Sequence, residues 1–198
     1  MTQFDARKYW PTPGQGRTLT NTFSSEIVQT YTDEAVGNYR LRQVINGKWD
    51  CDWFYRLDPM RGVLEYRDDY PKNWYNYLEL WKKTREVWCL PGKEIFWGGP
   101  FERTGAVAAK QCVTSGPLGQ YGWQEIFFNA ILPTYVTKAG TFENVLVLTY
   151  WQQWGGGKID GAKMWLAPGL GQIRAEWMLN EAPTGYWMEL LETKEERN

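Results

Sequence analysis

Histidine is absent from the 198 residues. That removes Ser-His-Asp and Cys-His catalysis, histidine zinc ligands and imidazole proton shuttles together. Chemistry would have to run on carboxylates, lysine, tyrosine or a bound metal. Two carboxylate pairs stand close in sequence, Asp50/Asp52 and Asp68/Asp69. A glycoside hydrolase needs two carboxyl groups about 5–10 Å apart, so a carboxylate-based glycoside hydrolase is the third of three functional readings. Neither pair has the Asp-x-Asp-x-Asp-Gly spacing of a calcium loop, and acidic residues in a charge-balanced chain ordinarily form a solvated face. No catalytic residue, metal ligand or cofactor is assigned. Cys51, Cys89 and Cys112 are odd in number, widely spaced and free of any Cys-x-x-Cys pair. They are expected to be reduced, and to act as small buried hydrophobes rather than as ligands or redox groups.

Aromatic side chains are the unusual resource. The chain has 13 Trp and 12 Tyr, and aromatics make up 17% of it. Each buried Trp or Tyr needs a partner for its polar atom, so some of them should lie at a surface that binds something. In "KWDCDWFYRL", strict alternation would place Trp49, Cys51, Trp53 and Tyr55 on one face of a strand, with Asp50, Asp52, Phe54 and Arg56 on the other. Trp49 and Trp53 would then sit about 13 Å apart, with indole faces able to stack on sugar rings. Asn73-Trp74-Tyr75-Asn76-Tyr77 and Trp151-Gln152-Gln153-Trp154 also mix aromatics with amides. Such mixtures occur in glycan sites and in protein–protein hot spots; ordinary packing at a sheet edge is the competing reading for each. Trp151 and Trp154 are expected to be at least partly exposed, because the adjacent Gly155-Gly156-Gly157 cannot bury them.

The elements that must position these residues read as strands. In "KMWLAPGLGQIRAEW" (163–177), two glycines one residue apart could cradle a phosphate or turn a hairpin. A dinucleotide fingerprint would have a third glycine where Arg174 stands, and a helix after it. Instead Ile173, Ala175 and Trp177 alternate with Gln172, Arg174 and Glu176, the period of a half-buried strand. Pro168-Gly169-Leu170-Gly171 is therefore expected to be a turn between two strands. A similar Trp-x-x-Pro-Gly pattern at 88–92 is too little to establish a repeat.

Residues 48–68 read as a β-hairpin, and 103–113, 121–131 and 143–151 as further strands. Segment 73–88 fits both a strand and a helical turn, and the charged tail "LLETKEERN" leaves a short helix open. Residues 1–23, with Pro11, Pro13, Gly14 and Gly16, read as an extended N-terminal arm, and 24–198 as a single β-rich domain. The expected class is all-β and mostly antiparallel: a curved sheet, half-barrel or sandwich.

Charge is balanced, with 22 basic against 23 acidic residues, and no basic block exceeds Lys82-Lys83. A nucleic-acid partner is not expected. No signal-peptide h-region and no apolar run of about 18 residues is visible, so the chain is expected to be soluble and not membrane-spanning.

Residues 141–177 resemble the last hairpins of the half-barrel lipoprotein-carrier (LolA-like) superfamily. The matching positions are Phe142, Asn144, Val145, Trp165, Ala167, Pro168, Gly169, Gly171, Ile173 and Arg174. The resemblance implies a curved antiparallel sheet whose concave face, in that family, holds lipid or an acyl chain. It carries no catalytic residue. Taken together, the expectation is a non-catalytic β-rich binding module that contacts a glycan or lipid-like ligand through exposed Trp and Tyr. The alternative is a structural assembly protein, a virion or shell component, in which aromatics and the N-terminal arm make subunit interfaces in a homo-oligomer or larger assembly.

Overall fold

The computed structural model describes residues 3–58, 62–69, 95–98, 100–102, 109–113, 122–154, 158–180 and 182–195. The strands are β1 (Gln3–Asp5), β2 (Gln15–Asn21), β3 (Glu26–Ala35), β4 (Asn38–Ile45), β5 (Lys48–Asp58), β6 (Gly62–Asp69) and β7 (Ile95–Gly98). They continue with β8 (Pro100–Glu102), β9 (Ala109–Val113), β10 (Gly122–Thr137), β11 (Gly140–Trp154), β12 (Lys158–Ala167), β13 (Gly171–Leu179) and β14 (Ala182–Glu195). A 3-10 turn at Ala6–Tyr9 is the one helical element among the described residues. Twelve strands form one sheet in the order β7-β6-β5-β4-β3-β2-β14-β13-β12-β11-β10-β9, and β1 pairs with β8 in a small second sheet. The all-β antiparallel expectation holds.

The sheet is a curled half-barrel, and its own side chains show which face is concave. Tyr9 packs with Leu146, Leu148 and Met164 of β11 and β12. Its neighbour Trp10 meets Tyr55 of β5 edge to face at 4.5 Å. In sheet order β5 and β11 are seven positions apart, which in a flat sheet would separate them by roughly 34 Å. Two adjacent residues can touch both only if the sheet wraps around them. The face carrying Tyr31, Leu41, Tyr55, Leu146, Leu148 and Met164 is therefore the inner one. At the far margins, the edge strands β7 and β9 approach to within 8 Å, Cα to Cα.

Three sequence expectations meet the structure here. Gly171 starts a strand, with Gly169 at φ 70° and Gly171 at φ 74°, so 163–177 is a hairpin. The Gly169 amide donates to Lys8 O at 2.8 Å, so the N-terminal segment takes up the N–H that a phosphate would need. Gln15–Asn21, within the expected arm, is a strand between β14 and β3. The tail differs from the helix left open for it: β14 runs to Glu195, paired with β2 through Glu195↔Gln15. Pairing with a partner strand overrides the helical leaning of its charged residues. Segment 73–88 and the second Trp-x-x-Pro-Gly pattern lie outside the described residues.

Candidate functional site

The Trp49/Trp53 pair does not form the two-platform face expected from alternation. Between β4 and β5 the register runs Gln43↔Cys51 and then Val44↔Trp49, leaving Asp50 as an extra, bulged residue. A bulge interrupts the pleat, so the alternation count fails across it. Trp53 stays on the inner face, in register with Leu41 and Tyr31 and half-buried. Trp49 is 41% exposed and donates from Nε1 to Asp52 Oδ1 at 3.2 Å. It thus keeps company with Asp52 and Arg42 on the outer face.

The aspartates are already engaged. Asp52 is buried and accepts a two-pronged pair of hydrogen bonds from Arg42, at 3.0 and 3.1 Å, which raises the Arg42 pKa. Asp50 Oδ2 accepts from Gln43 Nε2 at 2.8 Å and from the buried thiol of Cys51 at 3.2 Å. Register brings Asp69, not Asp50, opposite Asp52. Among the described residues no group of carboxylates and cysteines is arranged to hold a metal. Trp151 is half-buried on β11. Trp74, Tyr75 and Tyr77, and the side chains of Gln152, Gln153 and Trp154, lie outside what is described, as do Cys89 and the Cys112 side chain.

The inner face carries a polar row that the sequence did not advertise. Arg17, Gln29, Gln43 and Cys51 stand in register across four strands. Arg17 Nε donates to Gln29 Oε1 at 2.6 Å, and Gln29 Nε2 donates to Gln43 Oε1 at 2.6 Å. Gln43 then donates to Asp50, so the chain runs from a cation through two amides to an anion. Arg17 Nη1 also donates to Leu170 O at 2.9 Å and to Gln172 O, and the guanidinium lies 5.2 Å from the Tyr31 ring centroid. Burial lowers the Arg17 pKa and pushes the Tyr31 phenol up to about 12.

The Tyr31 value has a measurable consequence. Its folded pKa stands above the unfolded value of 10.0, so the folded state keeps the proton longer. This contribution to stability is fully present below about pH 10 and falls as pH rises toward 12, by at most roughly 1.4 kcal/mol per pH unit. Urea unfolding across that window should show the loss, and Tyr31→Phe should flatten it. An unchanged slope in the variant would assign the alkaline loss to other groups.

Among the described residues, the outer face gathers aromatic and charged side chains across β12, β13 and β14. Trp165, Arg174 and Glu189 are cross-strand partners, and so are Lys163, Glu176 and Trp187 one pleat repeat away. The result is a two-by-three grid in which aromatic, cation and anion alternate. Arg174 donates to Glu176 Oε1 at 2.7 Å and to Glu189 Oε2. Burial opposes the Arg174 charge, yet those carboxylate bonds outweigh it and its pKa is raised.

A hairpin tip closes over the grid. The β10–β11 pair is bulged between Phe128 and Ala130, and its tip reaches across to β14, four positions away in the sheet. There the Lys138 amide donates to Glu189 Oε1 at 3.1 Å. Tyr135 stacks on Trp165 with centroids 5.7 Å apart. Lys138 Nζ stands 5.8 Å from the Trp187 centroid, and Lys163 Nζ 5.2 Å from that of Trp165. Trp165 is 8% exposed beneath these neighbours, whereas Trp187 is half-buried and reachable. Fragments of this group are visible as i, i+2 pairs: Lys163/Trp165, Arg174/Glu176 and Trp187/Glu189. Only the register and the folded-over tip bring them together.

No protein-family model matches the sequence, and no curated protein resembles it in sequence. Solved structures do share the architecture, that of a β half-barrel of the YmcC-like kind. One is a Parabacteroides distasonis protein described as a lipoprotein, with TM-score 0.52 and 13% identity over 96% of this chain and 100% of its own. Another is a Bacteroides fragilis protein described as exported and having a YmcC-like fold, with TM-score 0.50 and 12% identity over 93% and 98%. Identity this low carries the fold and no residue's role. Among the described residues no helix is long and apolar enough to cross a membrane.

Proposed function

We propose that this protein is a non-catalytic binding module working outside the cytoplasm, and that its ligand is a glycan held on the outer face beneath the β10–β11 tip. The observation that carries the reading is the reachable Trp187, with Lys138 and Arg174 against its ring at 5.8 and 5.5 Å and the stacked Tyr135–Trp165 pair on the same face. An indole face bordered by polar groups suits a sugar ring, whose C–H face packs on the ring while its hydroxyls find partners. The lipid-like alternative would use the concave face, as in the LolA-like carriers. That face is filled by the protein's own Tyr9, Trp10 and Pro11. The descriptions of the two structural neighbours support an exported setting. A non-enzymatic role is supported by Asp50 and Asp52, both occupied by neighbours.

A second reading, the subunit contact of an assembly, draws on Phe23, 77% exposed and tilted against Tyr186 at 5.8 Å. Light scattering separates an assembly from a monomer. For the first reading, Trp187→Ala should weaken binding to whichever glycan a panel screen identifies by at least about tenfold, or 1.4 kcal/mol. Trp187→Tyr should keep most of the affinity. Undiminished binding in Trp187→Ala would remove this face from the reading.

A further inference from the structure

Resting on that glycan reading, we propose that the ligand is an acidic oligosaccharide, with a sugar ring on Trp187 and its carboxylates on Lys138 and Lys163. The charges around the grid carry this. Arg174, Glu176 and Glu189 satisfy one another through the hydrogen bonds already described. Lys138 and Lys163 are different: none of the ion pairs among the described residues includes either of them. Each instead sets its ammonium over an indole, at 5.8 and 5.2 Å from the centroid.

An ammonium resting on an aromatic face is held weakly where solvent reaches it. It can turn to an arriving carboxylate and form a stronger charge-assisted hydrogen bond. At Trp187, doing so frees the part of the ring that Lys138 covers, while Arg174 keeps its place 5.5 Å from the centroid; Trp165 stays buried under Tyr135. The two lysines come from separate elements, the β10–β11 tip and β12, and stand on opposite sides of the grid. One sugar with one acid group would engage only one of them, so the arrangement calls for a chain carrying acid groups on successive rings. Neutral glycans would leave both cations on the indoles they must displace.

The test uses the full chain with tetragalacturonic acid as acidic probe and maltotetraose as neutral probe, read by titration calorimetry and tryptophan fluorescence. The acidic probe should bind at least tenfold more tightly, with an affinity that falls as salt is added. Lys138→Gln and Lys163→Gln should each weaken acidic binding about five- to tenfold and remove its salt dependence in part, with the melting temperature unchanged. Equal binding of the two probes, or acidic binding indifferent to both substitutions, overturns the proposal. If Trp187→Ala still abolishes binding in that case, the glycan reading stands without it. If neither probe binds, both fall.

Discussion

Replacing Gly171 with alanine should lower the unfolding free energy by about 2–5 kcal/mol, against about 1 kcal/mol for the same change at Gly169. The two glycines share one turn and nearly one conformation, φ 74° and 70°, so each substitution meets the same backbone penalty. Their surroundings differ. A Cβ on Gly169 would meet nothing within 4 Å. A Cβ on Gly171 would lie 2.9 Å from Pro11 Cδ and 3.1 Å from Arg17 Nη1. Something must give: either Pro11 leaves the concave face, or Arg17 loses the carbonyls of Leu170 and Gln172. Urea unfolding of the two variants isolates that difference. Equal losses would mean that the N-terminal segment presses on the turn without consequence.

Gln43→Leu should cost about 2–4 kcal/mol, although leucine has a similar volume and suits an interior. Gln43 is the middle link of the inner-face row, accepting from Gln29 and donating to Asp50. Leucine would leave the buried Gln29 amide donor without its acceptor, a desolvation cost of about 1–3 kcal/mol, and would take one of the two donors, Gln43 and Cys51, that Asp50 accepts from. A swap that preserves volume but strands hydrogen-bonding groups is not a conservative one. Chemical denaturation measures the loss. A variant as stable as the parent would mean that water replaces the amide and that the row contributes little.

Much of the architecture was legible. Alternation in "QIRAEW" and the Pro-Gly turn foretold the 163–177 hairpin, because both signals are local. The Trp49/Trp53 platform failed for a local reason that alternation cannot carry: the bulge at Asp50 depends on how β4 and β5 register. The outer-face group was legible only in fragments. Lys163 and Trp165 share a face by period, but Lys138 is joined to Trp187 by a hairpin tip that crosses the sheet. The inner row is not legible in the sequence, because isolated glutamines in strands carry no signal; their meaning arises when Gln29 and Gln43 are brought opposite each other.

The pairing of β2 with β14 bears on how the chain is made as well as on how it rests. Arg17 lies opposite Thr193, so everything from β2 through β14 must be synthesised before the central pair of the sheet can close. Closing a loop of that length costs about 4–5 kcal/mol in chain entropy. Until then β2 and β13 each present a bare edge, the kind of surface that recruits other chains. A nascent copy is therefore most vulnerable to sticking to its neighbours in the interval before β14 emerges, and that strand acts as the seam that ends the exposure.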